Sequence, residues 1–492
     1  MWLRPTSPKR ALSIQFSANS NTGLHPAPKR KSQGGESASM KKLPNSNRPC
    51  PSDTPARRAP KQVAFPKPFP RSPNVAIIGG GLSGLVCALQ LAEKGIRSTV
   101  FDTGEHGVGG RLGTRSAIGG SLRNPEPTTL DPRLVFDHAA QYFTGSDPRF
   151  VQMVESWVAE GAVREWEAGS VGTLDLSPSS NSNKPPNYTP IQQKSKMYVG
   201  QGGMRQLAEF LASTAENSKL VDVRRPLWVN TIRFLNSSSS GGGFGWKVLA
   251  RGVDQGVYDA AVIAHNGKCA NRLSAPMGVP AVHAALRKLK LSANWVLMVA
   301  FESGKSIPVP LNKEGKKMEG AFIRNSEVLS WAGNNTAKLK LVEDSLCPSS
   351  LPIECWTLIS TQKFGKLKKV PQEAVPQDVA ARITKEMLEE FTRALGLSSL
   401  EDLPPVVYSK AQLWGAALPI NTPNVGCIWD TAGRVGVAGD WVHGGGSMES
   451  AALSGIAMAE CIASEAKGAI GKNLGLNEAF ERVKGEEIGV FP

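Results

Sequence analysis

"VAIIGGGLSGLVCALQLAEKGIRSTVFDTG" occupies residues 75–104, and its reading decides the fold. Val75 to Ile78 is a short β-branched, apolar run of the kind buried in a parallel sheet. Gly79-Gly80-Gly81-Leu82-Ser83-Gly84 then spells G-x-G-x-x-G. Gly79 permits a tight turn, Gly81 lets backbone approach a pyrophosphate, and Gly84 lets the next helix pack closely on the strand. Leu85 to Lys94 reads as that helix, ended by Gly95. A second strand, Ser98 to Phe101, ends in Asp102. This acid lies roughly 20 residues past the turn, where a carboxylate accepts ribose hydroxyls in such folds. Strand, turn, helix, strand and acid together point to a dinucleotide site.

The 492 residues allow two or three domains, and 40% apolar residues suffice for real cores. The formal charge of +15 is uneven. About a dozen of the excess charges precede residue 75, where only Glu36 and Asp53 are acidic. No basic patch is interleaved with aromatics, which argues against nucleic acid. The leader, residues 1–72, is rich in Ser, Pro, Lys, Arg and Asn, too polar to bury surface, and is expected to be disordered. It has no apolar h-region. Its basic, Ser-rich, acid-poor composition suggests an organelle transit peptide, for a chloroplast or alternatively a mitochondrion. Seven cysteines form no C-x-x-C pair, so neither a metal site nor a dithiol centre is expected. No run of about 18 apolar residues spans a membrane.

Further along, "GGRLGTR" (109–115) reads as a loop, "SAIGGSLRNPEPTTLDPR" as a polar linker, and "LVFDHAAQYFT" (134–144) as strand-like. Residues 169–195 are Ser-, Asn- and Pro-rich and read as an exposed loop. "MYVGQGGMRQLAEFLA" gives a strand, a turn and a helix. "LVDVRRPLWVNTIRF" and "GWKVLARG" alternate as strands, and "YDAAVIAHNG" is a buried strand ending in a loop. "NWVLMVAFES" and "IECWTLISTQ" are strand candidates, and Gln377 to Leu395 is an amphipathic helix. "GRVGVAGDWVHGGGSMESAALSGIAMAECIA" closes the chain with a strand, a glycine loop and a long apolar helix. The strand–turn–helix theme at both ends, with a strand-rich region between, implies an α/β fold. A Rossmann-like nucleotide-binding domain is assembled from separated segments, with a substrate domain inserted. The divisions expected are 73–147, 199–266 and 425–492 for the first, and 148–198 and 267–424 for the second.

Three motifs stand in the order seen in flavin-containing amine oxidases and renalase-like proteins, which the chain resembles. They are the glycine turn with Asp102, Gly109-Gly110-Arg111 followed by Thr114-Arg115, and "GDWVHGGGSMESAA" (439–452). "FDHAAQYFT" is similar to the D-x-G-A-Q-Y segment of renalase-like proteins, with Ala139 in place of glycine. "QLWGAALP" resembles a tryptophan segment of that group, with Leu413 where many members carry arginine. The resemblance implies non-covalent FAD, held by Gly79, Gly81, Ser83, Gly84, Asp102, Gly110, Arg111, Val229, Gly439, Asp440, Ser447 and Met448. Gln141, Trp414 and His443 are the candidate catalytic residues, with His138 a further possible base and Trp441 a further cavity wall.

Backbone N–H groups at the start of the closing helix suit the negative charge that a reduced flavin gains, without a titrating side chain. The implied activity is hydride transfer from an amine or a reduced nicotinamide-like ring. NAD(P)H or oxygen is open as the redox partner, as is the oligomeric state. A pigment desaturase-type flavoenzyme and a non-catalytic FAD-stabilised assembly factor are the alternatives.

Overall fold

Asn74–Ile78 is apolar along its length because both of its faces are covered. Val75 and Ile77 point into one core, with Cys87, Leu91, Met458 and Ile462. Ala76 and Ile78 point into another, with Ile232, Trp246, Val282 and Trp441. The strand lies inside a six-stranded sheet ordered Ile428–Asp430, Val435–Val437, Ala260–Ile263, Asn74–Ile78, Arg97–Phe101 and Val221–Arg224. All neighbours are parallel except the first pair, a hairpin. This computed structural model describes residues 61–116, 133–177, 187–192, 195–236, 244–302, 307–341 and 353–483. Leader residues 1–60, Cys50, Cys347 and most of the polar linker lie outside them.

On one face of the sheet, helix Leu82–Glu93 packs on the closing helix Met448–Ala466. Small residues set their separation. A side chain at Gly455 would stand 2.5 Å from the Ser83 carbonyl, and one at Gly84 would stand 2.0 Å from the Gly79 carbonyl. The other face carries a three-stranded antiparallel sheet, Val229–Leu235, Gly245–Ala250 and Val253–Tyr258. Helices Gly267–Ser274 and Pro280–Lys288 share that core through Ala270, Leu273, Val282 and Leu286. These two helices, on the substrate-domain side of the division expected at residue 267, share a core with the six-stranded sheet.

A seven-stranded sheet runs Val406–Trp414, Asn294–Glu302, Ile353–Ser360, Leu329–Asn334, Gly320–Arg324, Val171–Asp175 and Asn187–Pro190. Helix Gln377–Ala394 covers one face, with Met387 and Phe391 packed among Trp295, Leu297, Trp356 and Leu358. The opposite face presents Val296, Phe322, Trp331 and Ile359 to Tyr142 and Trp166.

Three local expectations are corrected. The supposed loop 169–195 contains two strands, Val171–Asp175 and Asn187–Pro190. The first pairs with Gly320–Arg324, a partner too distant in sequence for local composition to announce. "LVFDHAAQYFT" is a strand only over Val135–Asp137, paired with Thr114–Ser116. The leader is not wholly without structure, because Val63, Phe65 and Phe69 pack against the cores around the six-stranded sheet. Among the described residues no helix is long and apolar enough to cross a membrane.

Candidate functional site

The glycine turn sits where the first two parallel strands end. Asp102 is 9% exposed and braces it: Gly80 N–H donates to Oδ2 at 2.8 Å and Gly104 N–H to Oδ1 at 2.7 Å. Each carboxylate oxygen keeps a second lone pair. A side chain at Gly79 would meet the Ala264 carbonyl at 2.7 Å. At Gly81 the nearest atom would be 3.8 Å away, and at Gly110 nothing lies within 4 Å. Those two positions leave open backbone where a ligand needs room.

Arg111 follows in a short 3-10 turn, Gly110–Leu112. Its guanidinium grips Asp440 with two bonds, Nη1–Oδ2 at 2.6 Å and Nη2–Oδ1 at 2.7 Å, and Nη1 also donates to the Ala417 carbonyl at 3.1 Å. Burial works against the arginine's charge, and the Asp440 carboxylate outweighs it, so the guanidinium's pKa is raised. Asp440 comes from the loop after strand Val435–Val437, and Gly439 N–H donates to Ser454 Oγ of the closing helix at 3.2 Å.

Gly444, Gly445 and Gly446 have φ of 71°, 89° and 86° in succession, a left-handed run open to glycine and strained for other residues. It delivers Ser447 as the N-cap of the 19-residue closing helix, its hydroxyl accepting from Ser450 N–H at 2.9 Å. Glu449 clasps the entry to helix Pro148–Ala159. It accepts from Ser146 N–H, from Ser146 Oγ at 2.8 Å and from Asp147 N–H at 3.2 Å.

These pieces line one cavity of about 380 Å³. Gly79, Gly81, Ser83, Asp102, Gly110, Arg111, Val229, Gly439, Asp440, Ser447 and Met448 all face it, as do Trp414 and Trp441. Gly84 does not, because its place is the helix–strand contact. Gln141 does not either. It is 1% exposed, and its amide nitrogen donates to the Asp137 carbonyl at 2.7 Å and the Ala139 carbonyl at 3.1 Å. His443 is also outside the lining, half-buried, with its carbonyl receiving Gly445 N–H at 2.8 Å. The structure therefore sets Gln141 and His443 apart from the cavity.

Trp414 is pinned flat on His138, ring centroids 5.6 Å apart and planes 16° from parallel, while its indole N–H donates to the His138 carbonyl at 3.1 Å. Burial, then the neighbouring Arg115 charge, pushes the His138 pKa down to about 4, so its ring is neutral at pH 7.

The sequence reading gave no role to Leu227, Trp228, His265, Asn266 or Cys269, all of which line the cavity. His265 has Nδ1 3.0 Å from the Ile78 carbonyl, and burial lowers its pKa. A signal for it existed: "AHNG" ends the strand beside Asn74–Ile78, and ligands in such sheets bind outside the carboxyl ends of the strands.

A family model described as an NAD(P)-binding Rossmann-like domain matches residues 77–157. The chain is 49% identical over 41 residues to a carotenoid phi-ring synthase of Streptomyces griseus, 8% of each chain. It is 34% identical over 87 residues to the L-glutamate oxidase precursor of Streptomyces viridosporus, 18% of this chain and 13% of that protein. Both matches thus span a small part of the relative. Among solved structures, cyclohexylamine oxidase from Brevibacterium oxydans superposes with a TM-score of 0.51 at 12% identity, covering 80% of this chain and 100% of that one. At that identity the likeness is one of fold.

Proposed function

We propose that this chain is an FAD-dependent oxidoreductase acting on an organic substrate, either an amine or a reduced nicotinamide-like ring. One observation carries the reading: three motifs far apart in sequence, around Gly81, Arg111 and Ser447, meet on a single cavity. The residues suit the group. Gly81 and Gly110 offer open backbone to a diphosphate, and Asp102 keeps lone pairs for ribose hydroxyls. When bound, the flavin would accept a hydride equivalent from the substrate and pass the electrons to an acceptor such as oxygen. The chain's own part is to hold and orient. Arg111 and Asp440 fix each other in the cavity wall. The first N–H groups of the closing helix lack intrahelical partners and favour nearby negative charge. Trp414, immobilised by His138, offers substrate a flat wall.

The cofactor is held without a covalent bond, since the loop Gly444–Ser447 carries no thiol. Acid precipitation of the purified protein should release yellow colour absorbing near about 450 nm into the supernatant. Colour retained in the pellet would refute the non-covalent reading, and no colour in either fraction would refute the cofactor. We also propose delivery to a plastid. A reporter fused to residues 1–60 should reach that organelle, and a diffuse cytosolic signal would overturn this.

A further inference from the structure

We infer that residues 61–73 are a permanent strap of the folded protein, seating the strand that brings Asp440 to the cavity, so that any removable leader ends upstream of Gln62. Only the affinity readout below rests on the FAD reading.

The stretch "KQVAFPKPFPRSP" carries prolines at 66, 68, 70 and 73, which favour an extended chain and lower the entropy lost on docking. Its backbone is tied at two points. Val63 N–H donates to the Gly278 carbonyl at 2.7 Å, and Phe65 N–H to the Ala432 carbonyl at 3.1 Å. Gln62 Nε2 donates to Asp430 Oδ2 at 2.9 Å. Phe65 lies edge-on to Phe234 and Trp246, at 4.9 and 6.3 Å between centroids, and Phe69 edge-on to Trp429 at 6.4 Å.

Arg434 is the centre of this contact. It is 5% exposed, its guanidinium lies 4.0 Å from the Phe65 ring centroid and 4.9 Å from that of Phe69, and Nη2 donates to the Lys67 carbonyl. Without the strap, this buried cation would lose both rings and that carbonyl. Arg434 has φ of 51° and closes the hairpin between Ile428–Asp430 and Val435–Val437. Its carbonyl accepts Ala261 N–H at 3.0 Å, and the chain then runs through Val435–Val437 to Gly439 and Asp440. The strap therefore grips the hairpin whose second strand leads into the cavity. A purely disposable leader would have no reason to complete a buried arginine's surroundings.

The test uses the full chain. Phe65→Ala/Phe69→Ala should weaken FAD binding roughly tenfold, read by flavin fluorescence on titration. A synthetic peptide of residues 61–73 should restore it at about 1 mM, the effective concentration of a short tethered segment. Arg434→Lys keeps the charge but loses the planar stacking, and should bind FAD more weakly with no rescue by peptide. Limited trypsin digestion should trim the chain up to Lys61 and spare Arg71. Unchanged FAD affinity in both variants, even with a lowered melting midpoint, would overturn the positioning role. A stable fragment beginning at Ser72 would overturn the strap's permanence. If the wild-type chain takes up no FAD, the cofactor reading fails, and the trypsin result alone decides the strap.

Discussion

Lys338 Nζ lies 2.8 Å from Asp137 Oδ2, and the two side chains are 1% and 0% exposed. Asp137 Oδ1 accepts from Thr114 Oγ1 at 2.6 Å and from Met204 N–H at 2.9 Å. Lys338 also donates to the Gln141 carbonyl at 3.2 Å. Lys338 follows a strand of the seven-stranded sheet, and Asp137 ends the strand Val135–Asp137, so the pair ties that sheet to the segments that carry Thr114 and Met204. It also fixes the segment 137–141, which carries His138 under Trp414 and Ala140 against the cavity.

Removing one partner of such a pair strands the other charge in the interior. Lys338→Met should destabilise the protein by about 3–5 kcal/mol, and Asp137→Asn/Lys338→Met by less, because no buried charge is left alone. Denaturant midpoints of the two single variants and the double variant measure this. A double variant no more stable than Lys338→Met would contradict it.

His138 sets a pH dependence. Its pKa falls from 6.5 to about 4 on folding, through burial first and then the Arg115 charge. Between those values the unfolded chain binds a proton that the folded chain refuses. This contribution to stability is therefore present above pH 6.5 and is lost as pH falls towards about 4. His138→Phe keeps a flat ring against Trp414 and should flatten the stability profile across that window. An identical profile would assign the acid sensitivity elsewhere.

Two glycines of the same turn should fail differently. Gly84→Val drives a side chain towards the Gly79 carbonyl, 2.0 Å from its Cβ, and should impair folding itself. The Cβ of Gly81→Val would meet nothing closer than 3.8 Å, so this variant should fold with a near-normal melting midpoint while losing flavin. Full flavin occupancy in Gly81→Val would mean the cofactor lies elsewhere.

The start of the closing helix separates cap from donor. Ser447→Ala removes the N-cap hydroxyl and should cost about 1 kcal/mol of stability. Met448 is the first helical residue, a position where proline fits, and Ser447 before it is already extended at φ −109° and ψ 162°. Met448→Pro should therefore fold, yet lose one N–H at the cavity and, on the proposed function, slow flavin reduction about a hundredfold. Flavin reduction measured anaerobically tests this. Unchanged reduction in Met448→Pro would exclude backbone stabilisation by this group.

The sequence by itself determined the nucleotide half of the molecule, because its signals are local. A glycine turn, a following helix and an acid at fixed spacing report on backbone geometry within about 30 residues. Hence Gly79 to Gly84, Asp102, Arg111, Asp440 and Ser447 stand out in the sequence, and the fold brings Gly79, Gly81, Asp102, Arg111, Asp440 and Ser447 to one cavity. Only the tertiary structure decided the rest, because it depends on partners far apart in the chain. Val171–Asp175 becomes a strand by pairing with Gly320–Arg324. Gln141 looks like a site residue in its motif, but its amide nitrogen is consumed by the carbonyls of Asp137 and Ala139. Lys338 is an unremarkable lysine until Asp137 meets it in the interior. Phe65 and Phe69 sit in a segment with leader composition, and only the folded hairpin supplies the Arg434 guanidinium between their rings. Local pattern specifies backbone turns, whereas the burial and pairing of a polar or charged side chain are set by whatever the fold places opposite it.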